Sequence, residues 1–202
     1  DWDAALSDII ANHPEVDAVN MSLVDNSLHI GSCDASFPVT TSAINTLRAN
    51  GVATFVSSGN NGFTTGITYP ACITNAIAVG AVWDATGTVP IPIFTCSEVP
   101  VADKVTCWSN SASTIDILAP GAVIVAPVVG GVGGFAGTSM AAPHAAGVAA
   151  QLLDALPTLT VNQIEAALED GGVPRTDSKN GIIKPRIDAE QKIEPNDWMP
   201  AD

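Results

Sequence analysis

GFAGTSMAAPHAAGVAAQLLDAL, residues 134–156, decides the fold of this 202-residue chain. A glycine-rich approach leads into Thr138-Ser139-Met140 and then into a long helix of small residues. The first N–H groups of a helix lack partners within it, and the helix dipole favours negative charge there. Ser139 is therefore predicted to lie where an anion can be stabilised, as acyl transfer requires. Because Pro143 lacks an N–H, we also expect an irregular first helical turn.

Short apolar runs precede this helix and are predicted to form strands. They cover residues 16–23, 52–58, 75–82, 115–120 and 122–127. The last three are apolar enough to be covered on both faces, which is typical of a parallel sheet. Helical patterns at 2–10, 40–50 and 160–170 alternate with them, and Thr160 with Gln163 forms a capping box. The sequence predicts an α/β fold, a three-layer sandwich with a mainly parallel sheet and helices on both faces.

Charge is scarce and mostly negative. Only 14% of residues are charged, and 21 acidic against 7 basic residues give a formal net charge of -14. Such a surface is a poor partner for nucleic acid and anionic membranes. No charged residue occurs between Ile117 and Leu153, but prolines and the glycine-rich run 130–137 interrupt that stretch, so no membrane-spanning helix is predicted. We expect an exported, monomeric protein.

The chain has four cysteines, with no CxxC pair or adjacent histidine to suggest zinc. An even, scattered set favours two disulfides and an oxidising compartment, and hence secretion. Cys96 and Cys107 bracket a short polar excursion, which favours their pairing and would leave Cys33 to pair with Cys72. Other connectivities remain open. The chain opens on Asp1 without a visible signal peptide, so we expect a processed product or a fragment.

The segment GTSMAAPHAAG, residues 137–147, resembles the nucleophile signature of the subtilisin family, usually GTSMAxPHVAG. An alanine, Ala145 or its neighbour, replaces the valine. VNMSL (19–23), VATFVSSGNNG (52–62) and SNSASTIDILAPG (109–121) are similar to further family segments in the same order, so the resemblance covers nearly the whole chain. It implies a subtilisin-like fold whose N-terminal portion is absent here, and a serine endopeptidase that acts on polypeptides.

The resemblance assigns two catalytic residues. The Ser139 hydroxyl would attack the scissile carbonyl carbon. Asn60, which follows Gly59, matches the asparagine that holds the developing oxyanion together with the backbone N–H of the nucleophile. We therefore expect the Asn60 side chain to lie within one peptide group's width of Ser139.

The resemblance also places the substrate. The end of the 19–23 strand, usually SLG and here Ser22-Leu23-Val24, would pair with the peptide as an added strand. Val24 stands where the family usually has glycine, so the resemblance does not define the edges of the subsites. The primary specificity pocket would lie between Val56–Gly59, which includes Ser57 and Ser58, and Thr68–Ala71. These residues are small and uncharged, so a shallow apolar pocket for medium or aromatic side chains is expected.

A structural calcium ion is the one cofactor that the resemblance suggests, and none is expected to be required. Asp116 matches a position that helps to bind calcium in proteinase-K-like members, with the backbone carbonyls of Thr74 and Ala76. An ion pair between Asp116 and Arg175 is the alternative, and the sequence favours it slightly.

The rest of the catalytic triad is not found in the chain. Subtilisins present Asp, His and Ser in that order, yet no DTG-type or HGTH-type segment precedes Ser139. His144 lies on the same helix, about 140° round from Ser139, and cannot reach its hydroxyl. His13 and His29 lie in loops unsuited to a positioned base. We expect the Asp and His on an upstream portion of the same domain, which would be a partner for this chain. Residues 1–193 would form a partial subtilisin-like peptidase domain, and residues 194–202 would be a tail or the start of a truncated segment.

Three other functions compete with this one. A dinucleotide site is suggested by GxGxxA at Gly131–Ala136, but Asp154 then lies on the same helix and not at the end of a second strand. An α/β-hydrolase elbow would need GxSxG, which is not present here. A non-catalytic subtilisin-like scaffold or binding domain is the more serious alternative, since this chain alone cannot assemble a triad.

Overall fold

The computed structural model describes residues 1–189, so the expected tail at 194–202 lies outside the described part. The central sheet contains six strands in the order β1-β2-β3-β6-β10-β9. Strands β1 to β3, β6 and β10 pair in parallel, and β9 joins β10 antiparallel. The sheet strands are β1 (Ala18–Met21), β2 (Ala53–Ser57), β3 (Ile77–Trp83), β6 (Ile117–Ala122), β9 (Val173–Thr176) and β10 (Ile183–Arg186).

Helices cover both faces of this sheet. They are α1 (Trp2–Asn12), α2 (Pro38–Ala49), α3 (Thr138–Ala155) and α4 (Val161–Asp170). Successive strand residues point to opposite faces. Val56 thus packs with the α1 and α2 side chains in one core, and Phe55 packs with α3 and α4 in the other. The predicted α/β sandwich is confirmed.

Helix α4 begins and ends as its sequence predicts. Thr160 accepts a hydrogen bond from Gln163 N, and the Gln163 side chain completes the capping box. Gly171 follows the last helical residue. Among the described residues, no helix combines the length and apolar composition needed to cross a bilayer.

The apolar run at 122–127 forms a strand over most of its length, as expected, but the expectation that both of its faces are covered is wrong. Its strand β7 (Ile124–Val128) pairs antiparallel with β8 (Gly131–Phe135) in a separate hairpin. Val125 is 69% exposed and Val132 is 70% exposed. A second small hairpin joins β4 (Ile91–Ile93) to β5 (Cys96–Glu98). Apolar content predicted burial at 122–127, yet the glycine-rich partner strand supplies few side chains, Val132 and Phe135, to cover it.

Two disulfides tie the loops to this framework. Cys33 pairs with Cys72, and Cys96 pairs with Cys107. Glu98 braces the second bridge by accepting hydrogen bonds from Cys107 N at 2.7 Å and Trp83 Nε1 at 2.8 Å. Burial raises the pKa of the Glu98 carboxyl, but the contact with Lys104 and these hydrogen bonds lower it on balance.

The bridges should contribute unequally to stability. Their sequence separations are 39 and 11 residues, and a longer closed loop restricts the unfolded chain more. Replacing Cys33 and Cys72 by Ser should lower the free energy of unfolding by about 4 kcal/mol, against roughly 3 kcal/mol for the Cys96 and Cys107 pair. Urea denaturation followed by tryptophan fluorescence measures both values. Equal losses, or a larger loss from the shorter loop, would contradict this account.

Candidate active site

The candidate site lies where β1 and β2 end and α3 begins. Gly59, just after β2, has a φ of 101°, and a Cβ there would lie 2.3 Å from Asn110 Nδ2 and 2.7 Å from Thr68 Oγ1. Only glycine fits both the backbone angle and the space. The backbone at Gly59 therefore packs directly against the side chains of Asn110 and Thr68, and Asn60 follows it.

The buried side chain of Asn110 holds the loop that carries Asn60. Its Nδ2 donates to Ser58 O at 2.9 Å, and its Oδ1 accepts from Asn61 N and Phe63 N, each at 3.0 Å. The backbone on both sides of Asn60 is thus fixed by one amide. Sequence reasoning missed this residue, because a single asparagine within a matched segment carries no signal of its own.

Thr138 fixes the orientation of the Asn60 amide. Asn60 Oδ1 accepts from Thr138 N at 2.9 Å and from Thr138 Oγ1 at 3.0 Å. Thr138 Oγ1 in turn accepts from Gly59 N at 3.1 Å. With its oxygen engaged by Thr138, Asn60 keeps Nδ2 as a hydrogen-bond donor. Thr138 was also missed from the sequence, although it directly precedes Ser139.

Asn60 Nδ2 and Ser139 N both lie beside Gly137. A Cβ placed on Gly137 would lie 3.5 Å from Asn60 Nδ2 and 3.6 Å from Ser139 N. Ser139 N belongs to the first helical turn, where N–H groups lack intrahelical acceptors. The two expected donors therefore lie near each other at the start of α3.

Helix α3 continues through Pro143 without a break, but its first turn contains a bond of the 3₁₀ type, from Met140 N to Gly137 O at 2.9 Å. Pro143 cannot donate to the Ser139 carbonyl. That carbonyl accepts instead from Ser22 Oγ, at 2.7 Å, from the end of β1. A side chain from the neighbouring strand therefore supplies the missing donor and ties Ser139 to the expected substrate edge.

The chain's three histidines are all hydrogen-bonded away from Ser139. His144 Nδ1 contacts Met140 O at 2.7 Å. His29 Nε2 lies 3.2 Å from Asp25 Oδ2, and His13 Nδ1 lies 3.0 Å from Glu15 Oε1. Among the described residues, the side-chain hydrogen bonds of these three imidazoles do not include one to the Ser139 hydroxyl.

The expected substrate-binding residues surround the ends of β1 and β2. Ser57 Oγ donates to Leu23 O at 3.3 Å, and Leu23 is 38% exposed. The two expected pocket walls touch directly, because Ser58 O accepts from both Thr68 N at 3.1 Å and Thr68 Oγ1 at 3.0 Å. All four of Ser57, Ser58, Gly59 and Thr68 are buried. They can form the floor of a pocket more readily than its open rim.

An apolar groove lies between α3 and the β7–β8 hairpin, next to Ser139. Its volume is about 440 Å³. The residues that line it are Ile124, Val125, Ala126, Pro127, Phe135, Ser139, Met140, Pro143 and His144. The sequence pattern gave no sign of it, since the groove depends on the hairpin folding away from the sheet. It leaves room for an apolar group beside the Ser139 hydroxyl.

The expected ion pair between Asp116 and Arg175 is not formed. Arg175 contacts Asp103, while Asp116 Oδ2 accepts from Ala78 N at 2.6 Å. Instead, carboxylate oxygens of Asp116, Glu165 and Glu169 lie within 4.8 Å of one another. Burial raises the pKa of Asp116 to about 7, and the charges of Glu165 and Glu169 add to this, against the Ala78 hydrogen bond and Lys184. The two glutamates are four residues apart on α4, a spacing visible in the sequence.

Comparison with known proteins identifies one protein family for this chain. The sequence profile of the subtilase family, Peptidase S8, matches residues 2–182. The chain is 30% identical over 154 residues to subtilisin of Bacillus pumilus, covering 72% of this chain and 50% of that protein. For subtilisin E of Bacillus subtilis the identity is also 30%, over 72% of this chain and 36% of that protein. The chain thus spans half or less of the length of these curated relatives.

Solved structures show the same likeness. A cold-adapted subtilisin-like serine proteinase superposes with a TM-score of 0.72 at 25% sequence identity. The superposition covers 94% of this chain and 61% of the other. The similarity therefore extends over nearly all of the chain, while more than a third of the other protein has no counterpart here.

Proposed function

Because the chain belongs to the subtilase family, we propose that it supplies the nucleophile and the oxyanion-binding groups of a serine endopeptidase. One observation carries this proposal. Thr138, the residue before Ser139, holds Asn60 Oδ1 through its N at 2.9 Å and its Oγ1 at 3.0 Å, so the Asn60 amide lies at the start of α3 beside Ser139. A side-chain amide and a backbone N–H in neighbouring positions are the donors that stabilise a tetrahedral oxyanion.

The reaction follows from these positions. Ser139 Oγ attacks the carbonyl carbon of the scissile bond, and its proton passes to a histidine of the upstream portion. The carbonyl oxygen becomes an oxyanion and accepts hydrogen bonds from Asn60 and from the Ser139 backbone. The histidine then returns the proton to the leaving amine, which leaves an acyl-enzyme on Ser139 for water to hydrolyse.

The upstream portion of the domain is the first partner that this account requires. Among the described residues, β1 has a strand partner on one side only, β2. An open edge of a parallel sheet can accept a further strand. The solved relative, of which this chain covers 61%, has enough additional chain for that role. We place the triad Asp and His there.

The proposed substrate is a polypeptide in extended conformation. It would lie along Ser22, Leu23 and Val24 and pair with them through backbone hydrogen bonds. Val56–Gly59 and Thr68–Ala71 would receive the side chain before the scissile bond, and their small uncharged residues favour medium or aromatic side chains. The two disulfides fit an oxidising compartment, so we propose an extracellular site of action.

We further propose a structural calcium ion at Asp116. Asp116, Glu165 and Glu169 fit this ion, because clustered carboxylate oxygens are the ligands calcium prefers. Glu165 also contacts Arg48, so the cluster retains its excess of negative charge only in part. The backbone carbonyls of Thr74 and Ala76 remain the further ligands that the family resemblance suggests.

Calcium should stabilise the protein in a pH-dependent way. At pH 8 and about 100 times its dissociation constant, the ion should add about 2.7 kcal/mol to the free energy of unfolding. The gain should shrink at pH 5, because Asp116, with a pKa of about 7, is then protonated. Without calcium, stability should fall as pH rises from about 4 to 7, since the folded pKa exceeds the ordinary value of 3.8.

Thermal denaturation with calcium chloride or a chelator tests this. Asp116→Asn should remove both the calcium gain and the fall in stability with pH, whereas Asp84→Asn, at an exposed carboxylate, should keep both. A calcium gain that survives in Asp116→Asn would contradict the assignment.

The alternative, a non-catalytic scaffold, is favoured by the engagement of all three histidines elsewhere. Peptide hydrolysis by the chain joined to its upstream portion decides between the two. Turnover that requires Ser139 supports the protease, and inactivity of a folded protein that contains both upstream triad residues supports the scaffold.

A further inference from the structure

The Cys33–Cys72 disulfide joins two segments that are already held together by their backbones. Cys33 N donates to Cys72 O at 3.0 Å. Four residues before Cys33, His29 N donates to Ile67 O at 2.9 Å and Ile67 N donates to His29 O at 3.1 Å. The two sulfur atoms and the His29 imidazole therefore share one neighbourhood that does not depend on the S–S bond.

These three side chains have the composition of a zinc site. One ligand atom each of His29, Cys33 and Cys72 lies within 4.8 Å of the others. Zinc binds thiolate sulfur at about 2.3 Å and imidazole nitrogen at about 2.0–2.1 Å, so tetrahedral ligands stand roughly 3.6–3.8 Å apart. Sulfur atoms that separate to this distance need only a small movement of their side chains. Both cysteines are buried, with 4% and 3% of their surface exposed.

The surroundings of His29 suit a metal-binding imidazole. His29 Nε2 lies 3.2 Å from Asp25 Oδ2. Asp25 is itself fixed, because its Oδ1 accepts from Ser27 N at 2.9 Å and Tyr69 N at 3.2 Å. The Phe37 ring packs edge-on against the imidazole at 5.6 Å. A carboxylate that holds one ring N–H orients the imidazole and leaves the other nitrogen with a free lone pair for zinc.

In the described part of the chain, the Cys96–Cys107 disulfide belongs to no such cluster of zinc ligands. Among residues 1–189, the groups of three potential ligands include neither Cys96 nor Cys107. The chain thus contains its own control, a cysteine pair without a histidine.

We propose that His29, Cys33 and Cys72 bind one zinc ion in the reduced chain, with water as the fourth ligand. The ion would hold the 24–36 loop to the segment around residues 66–76 before the disulfide forms. These segments carry Val24 and Thr68, so the metal would shape the candidate substrate-binding region in the reduced protein. The inference concerns metal binding alone and stands whether or not the protein is a protease.

The conversion between the zinc-bound thiolates and the disulfide conserves atoms and electrons. Zinc binding replaces two S–H bonds by two Zn–S bonds and releases two protons. The neutral imidazole forms the third bond to zinc and releases no proton. Oxidation then releases the ion, joins the two sulfur atoms and passes two electrons to an external disulfide. That disulfide takes up two protons and becomes a dithiol.

Zinc binding by two double variants of the 202-residue chain tests the proposal. One carries Cys96→Ser with Cys107→Ser and keeps the proposed site, and the other carries Cys33→Ser with Cys72→Ser. Both are reduced with a phosphine and titrated with zinc chloride against a chromophoric chelator. The first should bind one zinc about 100-fold more tightly than the second, because it offers a third ligand.

Single variants in the first background identify that third ligand. His29→Asn should remove most of this difference, and Asp25→Asn should weaken zinc binding by about 10–100-fold. His13→Asn, at an exposed histidine, should leave binding unchanged. Cobalt in place of zinc should give sulfur-to-metal charge-transfer absorption only in the chain that keeps Cys33 and Cys72.

Several results would overturn the proposal. They are equal binding by the two double variants, binding unaffected by His29→Asn, and binding by the oxidised protein. Failure of the first variant to bind zinc also overturns it, whether or not that variant is folded without metal, because metal binding and folding are coupled at such sites.

Discussion

Ser139→Ala should abolish peptide hydrolysis by the protein that includes the upstream portion. The Ser139 hydroxyl is the group proposed to form the acyl-enzyme, while Asn60 and the helix N-terminus should stay in position and retain part of the oxyanion stabilisation. For subtilisin itself, which this chain resembles, loss of the nucleophile lowers kcat by about 10⁶-fold and leaves roughly 10³–10⁴ over the uncatalysed rate. We expect a loss of that size, measured as kcat on a chromogenic peptide.

The control for this variant is Ser113→Ala, at an exposed serine in the segment 109–121. Its kcat and KM should equal those of the parent protein. A Ser139→Ala protein that retained even a hundredth of the parent kcat would show that another group attacks the substrate.

Asn60→Ala should reduce kcat far more than it changes KM. The Asn60 amide would bind the oxygen only as negative charge develops, so its removal affects the transition state and not the bound substrate. In subtilisin, the protein in which this effect is known, removal of the corresponding amide lowers kcat by about 10²–10³-fold. Steady-state kinetics at saturating peptide gives the comparison.

Asn60 also anchors Thr138, so the loss could arise from a displaced loop. Asn60→Asp separates the two roles, because a carboxylate oxygen can still accept from Thr138 N and Oγ1 but no Nδ2 donor remains. Its kcat should fall at least as far as that of Asn60→Ala. Asn12→Ala, on the exposed end of α1, should have parent activity. Near-normal kcat in Asn60→Asp would refute oxyanion binding by this residue.

Much of the fold could be predicted because its signals are local. The runs 52–58 and 75–82 are apolar throughout, and they form β2 and β3 in the middle of the sheet. The capping box at Thr160 depends on residues three apart and was predicted in detail. The predicted burial of the run 122–127 was wrong, because burial depends on what covers a strand. Its partner is the glycine-rich β8, which pairs with it in a separate hairpin and offers little side-chain cover.

The sequence names the residues proposed for the candidate site, but it does not predict the contacts between them. The segments around Asn60 and Ser139 match family motifs, and parallel strand ends meet at one edge of the sheet. The hydrogen bonds from Thr138, Ser22 and Asn110 join residues 52 to 117 positions apart, and nothing in the local sequence distinguishes these side chains from ordinary polar ones. The expected pairing of Asp116 with Arg175 failed for the same reason, since Asp103 lies closer to that arginine.

Fluorophosphonate labelling followed by peptide mapping tests the central claim most directly. The reagent reacts with a serine only where a base activates the hydroxyl and an oxyanion site receives the phosphoryl oxygen. The protein that includes the upstream portion should take up one label on Ser139, and the 202-residue chain alone should label only slowly. Absence of label from Ser139 in the longer protein, or rapid labelling of Ser139 in the isolated chain, would contradict the account.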